Sequence, residues 1–149
     1  MFISDTCSFS CGEKKMQFSA FAYRKKSRHD PYDTDFNFTV AVKDGLWSGC
    51  AVFNTDYTIF SEFVNDLSEM YRSLSGTADI TDLADCESSV AFEADKTGHI
   101  HIEGTLCDNF REGPQLLKFC FTVDQCDLKE FIAQLDTAAA KISLPPYRK

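Results

Sequence analysis

Residues Phe36–Phe53, FNFTVAVKDGLWSGCAVF, decide the fold. Phe36, Phe38, Val40 and Val42 alternate with Asn37, Thr39, Ala41 and Lys43, the two-residue period of a strand with one buried face. Lys43-Asp44-Gly45-Leu46 is an Asp-Gly hairpin signal, so Trp47–Phe53 is expected to return beside it as an antiparallel partner. The period then changes. Phe60, Phe63, Val64, Leu67, Met70, Tyr71 and Leu74 recur at three- and four-residue steps, one stripe of an amphipathic helix. Asp56 or Thr58 would cap its start and Gly76 its end, with Glu62, Asp66 and Glu69 on the polar side.

Upstream, Met16, Phe18, Ala20 and Ala22 alternate as another strand, although Phe21 and Tyr23 make its second face partly apolar too. Downstream the plan repeats. Strands are expected at 77–81, 88–94, 99–106 and 116–123, and Asp95-Lys96-Thr97-Gly98 forms the turn before the third of them. A second helix follows, with Leu128, Phe131, Ile132 and Leu135 at helical spacing and a capping-box relation between Asp127 and Glu130. A shift of 68 residues aligns the halves: Gly45 meets Gly113, Phe53 meets Phe121, Asp56 meets Asp124, Glu62 meets Glu130. Internal duplication and two unrelated strand–turn–strand–helix units both produce such matches, and the sequence leaves both readings open. Either way the expected fold is α+β: a mainly antiparallel sheet of seven or eight strands covered by two amphipathic helices, a ββββα plan used twice. It is expected to be one domain over 1–149, with halves 1–75 and 76–142 and an extended tail, 143–149.

Composition removes whole classes of function. The 149 residues carry 15 Lys+Arg against 23 Asp+Glu, a net charge of −8, which opposes general binding to a polyphosphate backbone. Met1–Gly12 lacks the basic start and apolar stretch of a secretory leader, and the longest apolar runs are four residues, so a soluble cytoplasmic protein is expected. Seven cysteines, with no Cys-x-x-Cys pair, read as reduced structural thiols. Cys50 and Cys120 are expected to act as small hydrophobes in strands, and Cys7 and Cys11 to be the pair open to oxidation.

Catalytic signatures are absent: no Gly-x-Ser-x-Gly elbow, P-loop or Gly-x-Gly-x-x-Gly occurs. His99-x-His101-x-Glu103 is the one constellation with metal-ligand chemistry, because strand alternation puts all three side chains on one face. Ile100 and Ile102 already supply the buried face of that strand, so the plainer reading leaves the three in solvent. Arg24-Lys25-Lys26-Ser27-Arg28 concentrates four positive charges, but Asp30, Asp33 and Asp35 follow at once and cancel them. The acidic stretch from Asp79 to Asp95 is more informative. It holds Asp79, Asp82, Asp85, Glu87, Glu93 and Asp95 with no Lys or Arg, and residues 76–149 carry a net −6 against −2 for 1–75. These six carboxylates form the candidate docking face for a basic protein partner, with Trp47 and Tyr57 or Tyr71 as candidate anchors.

Two segments carry a family resemblance. Gly98-His99-Ile100-His101-Ile102-Glu103-Gly104 and Phe121-Thr122-Val123-Asp124-Gln125-Cys126-Asp127-Leu128 resemble the Gly-His-Ile-x-x-x-Gly strand and the Phe-x-x-Asp-Gln-Thr-x-Leu junction of WapI-like bacterial immunity proteins. Cys126 stands where that pattern has Thr, and the resemblance covers roughly residues 36–136. It implies a cytoplasmic, non-enzymatic protein without cofactors that binds and neutralises a toxin domain made by the same cell. Its acidic face would occupy a basic active-site cleft, without touching nucleic acid or membrane itself. The rival readings are a regulatory or scaffold protein, and a metal-dependent enzyme built on His99, His101 and Glu103.

Overall fold

The computed structural model describes residues 1–84, 87–108, 113 and 115–143. Two antiparallel sheets account for the strands. In the first, β1 (Phe2–Ile3) and β2 (Cys7–Cys11) both pair with β3 (Lys14–Tyr23), which pairs with β4 (Phe36–Asp44) and then β5 (Trp47–Thr55). Helix α1 (Tyr57–Ser73) follows. The second sheet runs in simple order through β6 (Thr77–Thr81), β7 (Ser89–Ala94), β8 (His99–Asp108) and β9 (Gln115–Asp124). A single 3-10 turn, Gln125–Leu128, leads into α2 (Lys129–Ser143). The fold is therefore α+β on the expected ββββα plan, with nine strands among the described residues rather than seven or eight. The additions lie at the N-terminus, where β1 is too short to show a period and β2 alternates Cys and Phe with Ser.

Four local expectations need correction. The alternation expected through Ala20 and Ala22 breaks, because Ala20 adopts a left-handed φ of 55° in a bulge between Ser19 and Ala22. The extra residue shifts the phase, so Phe21 is buried after Met16 and Phe18. At the start of α1 the Asp56 side chain caps nothing. Instead the Tyr57 N–H donates to the Asp35 carboxylate at 2.7 Å, while the Asp56 carboxylate pairs with Lys26 at 2.9 Å. The helix ends at Leu74, which takes the left-handed conformation two residues before Gly76. The capping relation expected at Asp127 and Glu130 lies three residues earlier, where the Asp124 N–H donates to Asp127 at 3.1 Å.

The core joins the two sheets through phenylalanines. Phe18 of β3 stacks on Phe38 of β4 at 5.3 Å and meets the edge of Phe131 of α2 at 5.4 Å. Phe131 also contacts Phe9 of β2 at 5.1 Å and Phe92 of β7 at 6.3 Å, so one ring touches both sheets. A Cβ added to Gly49 would lie 2.9 Å from Leu117. Residues 49 and 117 are equivalents under the 68-residue shift, so the last strands of the two halves meet at matching positions.

Among the described residues one buried side-chain group is unsatisfied. Thr55 is fully buried and its hydroxyl has no hydrogen-bond partner. Thr55→Val removes that hydroxyl at nearly constant shape, and is expected to raise stability by about 1 kcal/mol. Thermal unfolding would show it as a melting temperature higher by roughly 3 °C.

Candidate docking face

The outward face of the second sheet carries three of the six carboxylates singled out by sequence. Burial alternates along β6 and β8, placing Ala78, Ile80, Ile100 and Ile102 inside and Asp79, His99, His101 and Glu103 outside. Cross-strand register then fixes the neighbours. Asp79 faces Ala91, Ala91 faces Glu103, and Glu103 faces Cys120. In the adjoining row Thr77 faces Glu93, Glu93 faces His101, and His101 faces Thr122. Asp79 and Glu103 thus sit diagonally on either side of Glu93, roughly 7–8 Å from it by sheet geometry.

Asp95 closes one end of this face. Its carboxylate accepts from the Thr97 hydroxyl at 2.5 Å and the Thr97 and His99 N–H groups at 2.8 and 3.2 Å. His101 Nε2 lies 3.0 Å from its other oxygen. These hydrogen bonds, Thr97 foremost, hold the Asp95 carboxyl well below the usual carboxylate range. Because an ionised carboxylate only accepts, His101 donates to it through Nε2–H, and Nδ1 lies 2.9 Å from the Thr122 hydroxyl. His99 Nε2 lies 3.5 Å from Asp124, which adds another exposed acid. Among the described residues Lys118 is a cation on this face, at the far end of β9, and Lys96 is exposed in the turn beside Asp95.

The six candidate residues divide. Asp79, Glu93 and Asp95 share the face just described. Glu87 is exposed in the loop before β7, with φ 54°. Asp85 lies outside the described residues. Asp82 is a correction: it is 3% exposed and structural. Its carboxylate accepts from the Asn54 N–H at 2.7 Å, its N–H donates to the Ser88 carbonyl at 2.7 Å, and Leu83 N–H reaches the Asn54 carbonyl at 2.8 Å. It ties β5 to the β6–β7 connection. The signal was available, since 78, 80 and 82 share the inward parity. Glu103 and Asp124 belong to the acidic face and were missed because they lie beyond the acidic stretch in sequence.

His99, His101 and Glu103 do share one exposed face, as alternation requires. Yet among the described residues no group of three or more His, Cys, Asp or Glu side chains has the geometry to hold a metal ion. The basic run is largely spent on its neighbours: Arg24 forks onto Asp33 at 2.9 and 2.5 Å, and Lys26 pairs with Asp56. Trp47 is 75% exposed on the first sheet, Tyr57 is buried and Tyr71 half-buried, so they form no common anchor with the acids. Cys50 and Cys120, expected inside, have outward parity and are exposed. Cys7 is buried, which pushes its thiol up to about 12, and desolvation foremost, with Asp127 nearby, also raises Cys11. Both shifts disfavour the thiolate, the form through which a thiol oxidises, at the pair expected to be open to oxidation.

The motif residues prove architectural. The Gly98 carbonyl accepts from the Gln125 N–H at 2.9 Å, and Gln125 Nε2 donates to the Tyr71 carbonyl at 2.9 Å. Gln125 therefore joins the β7–β8 turn to the last turn of α1. Among the described residues no helix is long and apolar enough to cross a membrane.

Comparison with known proteins bears directly on identity. A solved structure of the plant transcriptional regulator PBF-2 matches with a TM-score of 0.50 and 8% identity, over 93% of this chain and 81% of that one. At that identity the likeness speaks to fold alone. No curated protein is significantly similar to the chain. The immunity protein WapI-like family matches residues 4–143, extending the resemblance from 36–136 through the N-terminal strands. The chain belongs to the WapI-like immunity protein family.

Proposed function

We propose that the chain neutralises a toxin domain made by its own cell, acting in the cytoplasm by binding and not by catalysis. The outward face of the second sheet is the docking surface, and Asp79, Glu93 and Asp95, joined by Glu103 and Asp124, occupy a basic active-site cleft of the toxin. One observation carries this reading: residues from β6, β7, β8 and β9 converge their carboxylates on one exposed sheet face, with Lys118 at its far end and Lys96 in the turn beside Asp95. Glu87, on the neighbouring loop, extends the surface.

Such a contact works through long-range attraction, which speeds encounter and fixes orientation. The test is calorimetric titration against the toxin domain encoded beside this chain's gene. Affinity is expected to fall about tenfold or more from low to high salt. The triple reversal D79K/E93K/E103K is expected to weaken binding further while leaving the melting temperature unchanged, because all three side chains are exposed. Salt-independent binding that survives the reversal would sink the reading.

A further inference from the structure

The outward face of the first sheet differs from the rest of this acidic chain. Register aligns Ser10 with Lys15, Lys15 with Lys43, and Lys43 with Ser48, a row of exposed hydrogen-bond donors across β2, β3, β4 and β5. Like charges placed directly opposite destabilise a sheet. Among the described residues the lysine ion pairs are those of Lys26 and Lys141, so neither Lys15 nor Lys43 is held in a close pair, although Glu13 lines the same groove. Two open grooves, of about 520 and 360 Å³, meet at Lys15 and Lys43. One reaches the hairpin tip at Leu46, and the other runs over Gln17, Ala41 and Cys50. Beside the first of them Leu46 is fully exposed, whereas Trp47, opposite Asp44, has the parity of Val42 and lies on the other side of the sheet. A large apolar side chain in solvent next to like charges held opposite one another fits a contact surface.

The complementary surface lies on the same chain. Asp79, Glu93 and Glu103 surround Ala91 on the second sheet, a small half-buried residue that leaves room between the acids. Their diagonal spacing is within the span of two flexible lysines from neighbouring strands. Nucleic acid is the poorer occupant, because two lysines on a chain of net charge −8 cannot follow a phosphate backbone.

We propose that the Lys15–Lys43 face docks a second copy of the chain, head to tail, by receiving the acidic face of that copy's second sheet. The contact is heterologous, so it leaves one free face of each kind and grows into rings or open chains. Exposed ion pairs contribute little individually, so the association is weak and concentration-dependent. It goes beyond toxin binding but shares the acidic face, so a toxin competes with the second copy.

Sedimentation velocity on the protein without any toxin tests it. At low salt, species larger than the monomer should grow with concentration. They should vanish at high salt, as the screening length drops from about 30 Å at 0.01 M to about 3 Å at 1 M. K15Q/K43Q and D79N/E93Q/E103Q should each stay monomeric, K15R/K43R should still associate, and an equimolar mixture of the first two should form dimers and nothing larger. Each variant should melt with the wild type. A wild type monomeric at every concentration would overturn the proposal, as would association unchanged in both neutralised variants, or a mixture of folded variants that stays monomeric. Binding of a labelled single-stranded oligonucleotide, read by fluorescence anisotropy and without self-association, would reassign the face to nucleic acid. All these outcomes leave the toxin titration independent: monomeric protein can still bind toxin through salt-sensitive contacts, and self-associating protein can still fail to.

Discussion

Gly104→Ala is expected to destabilise the protein by about 3 kcal/mol, as overpacking against an unyielding neighbour does. A Cβ at this position would lie 2.3 Å from the Ser89 backbone carbonyl and 2.7 Å from the Phe119 ring. Ser89 belongs to β7, which pairs with β8 along its whole length, so the carbonyl cannot retreat without breaking the ladder. The requirement is one of space, because Gly104 is absent from the residues with positive φ. A graded series makes the argument sharp. At Gly49 the added Cβ meets only the Leu117 side chain, which can rotate, so alanine there should cost about 1 kcal/mol. At Gly113 nothing lies within 4 Å, and alanine should be neutral or slightly stabilising. Melting temperatures read the series at roughly 3 °C per kcal/mol. Equal effects at Gly104 and Gly113 would contradict it.

Phe131→Ala should cost about 4 kcal/mol, the usual loss for emptying a buried phenylalanine site. The size follows from position. This ring touches Phe9 and Phe18 on the first sheet and Phe92 on the second, so its removal opens a cavity where the halves join. Phe131→Leu should recover much of the loss by refilling volume. If the halves fold as one domain, both circular dichroism and fluorescence of the variant should report a single unfolding transition at lower temperature. Two separated transitions would show that the halves fold independently.

The fold was legible wherever a period was clean. Phe36–Val42 and Phe60–Leu74 announce a strand and a helix because each buries one face, and the hairpin at Gly45 announces its own left-handed residue. The period was misleading where the backbone changes phase. Nothing in Met16–Ala22 marks the bulge at Ala20, which depends on pairing with β4. Capping was misread for a similar reason: the acceptor for Tyr57 comes from Asp35, 22 residues upstream, and only the tertiary fold brings it there. The acidic face was legible in part. Charge along the chain identified Asp79, Glu93 and Asp95, but parity, not charge, decides which acids face outward. Parity alone would have turned Asp82 inward and added Glu103. Asp124 needed the register of β8 against β9.

The chain carries its own reporters for the proposed docking face. Cys120 is exposed on the acidic face, directly opposite Glu103, while Cys50 is exposed on the lysine face, directly opposite Ala41. Thiol labelling of the saturated toxin complex, read peptide by peptide by mass spectrometry, should find Cys120 protected and Cys50 as reactive as in the free protein. Protection of Cys50 with Cys120 still fully reactive would contradict docking through the acidic face.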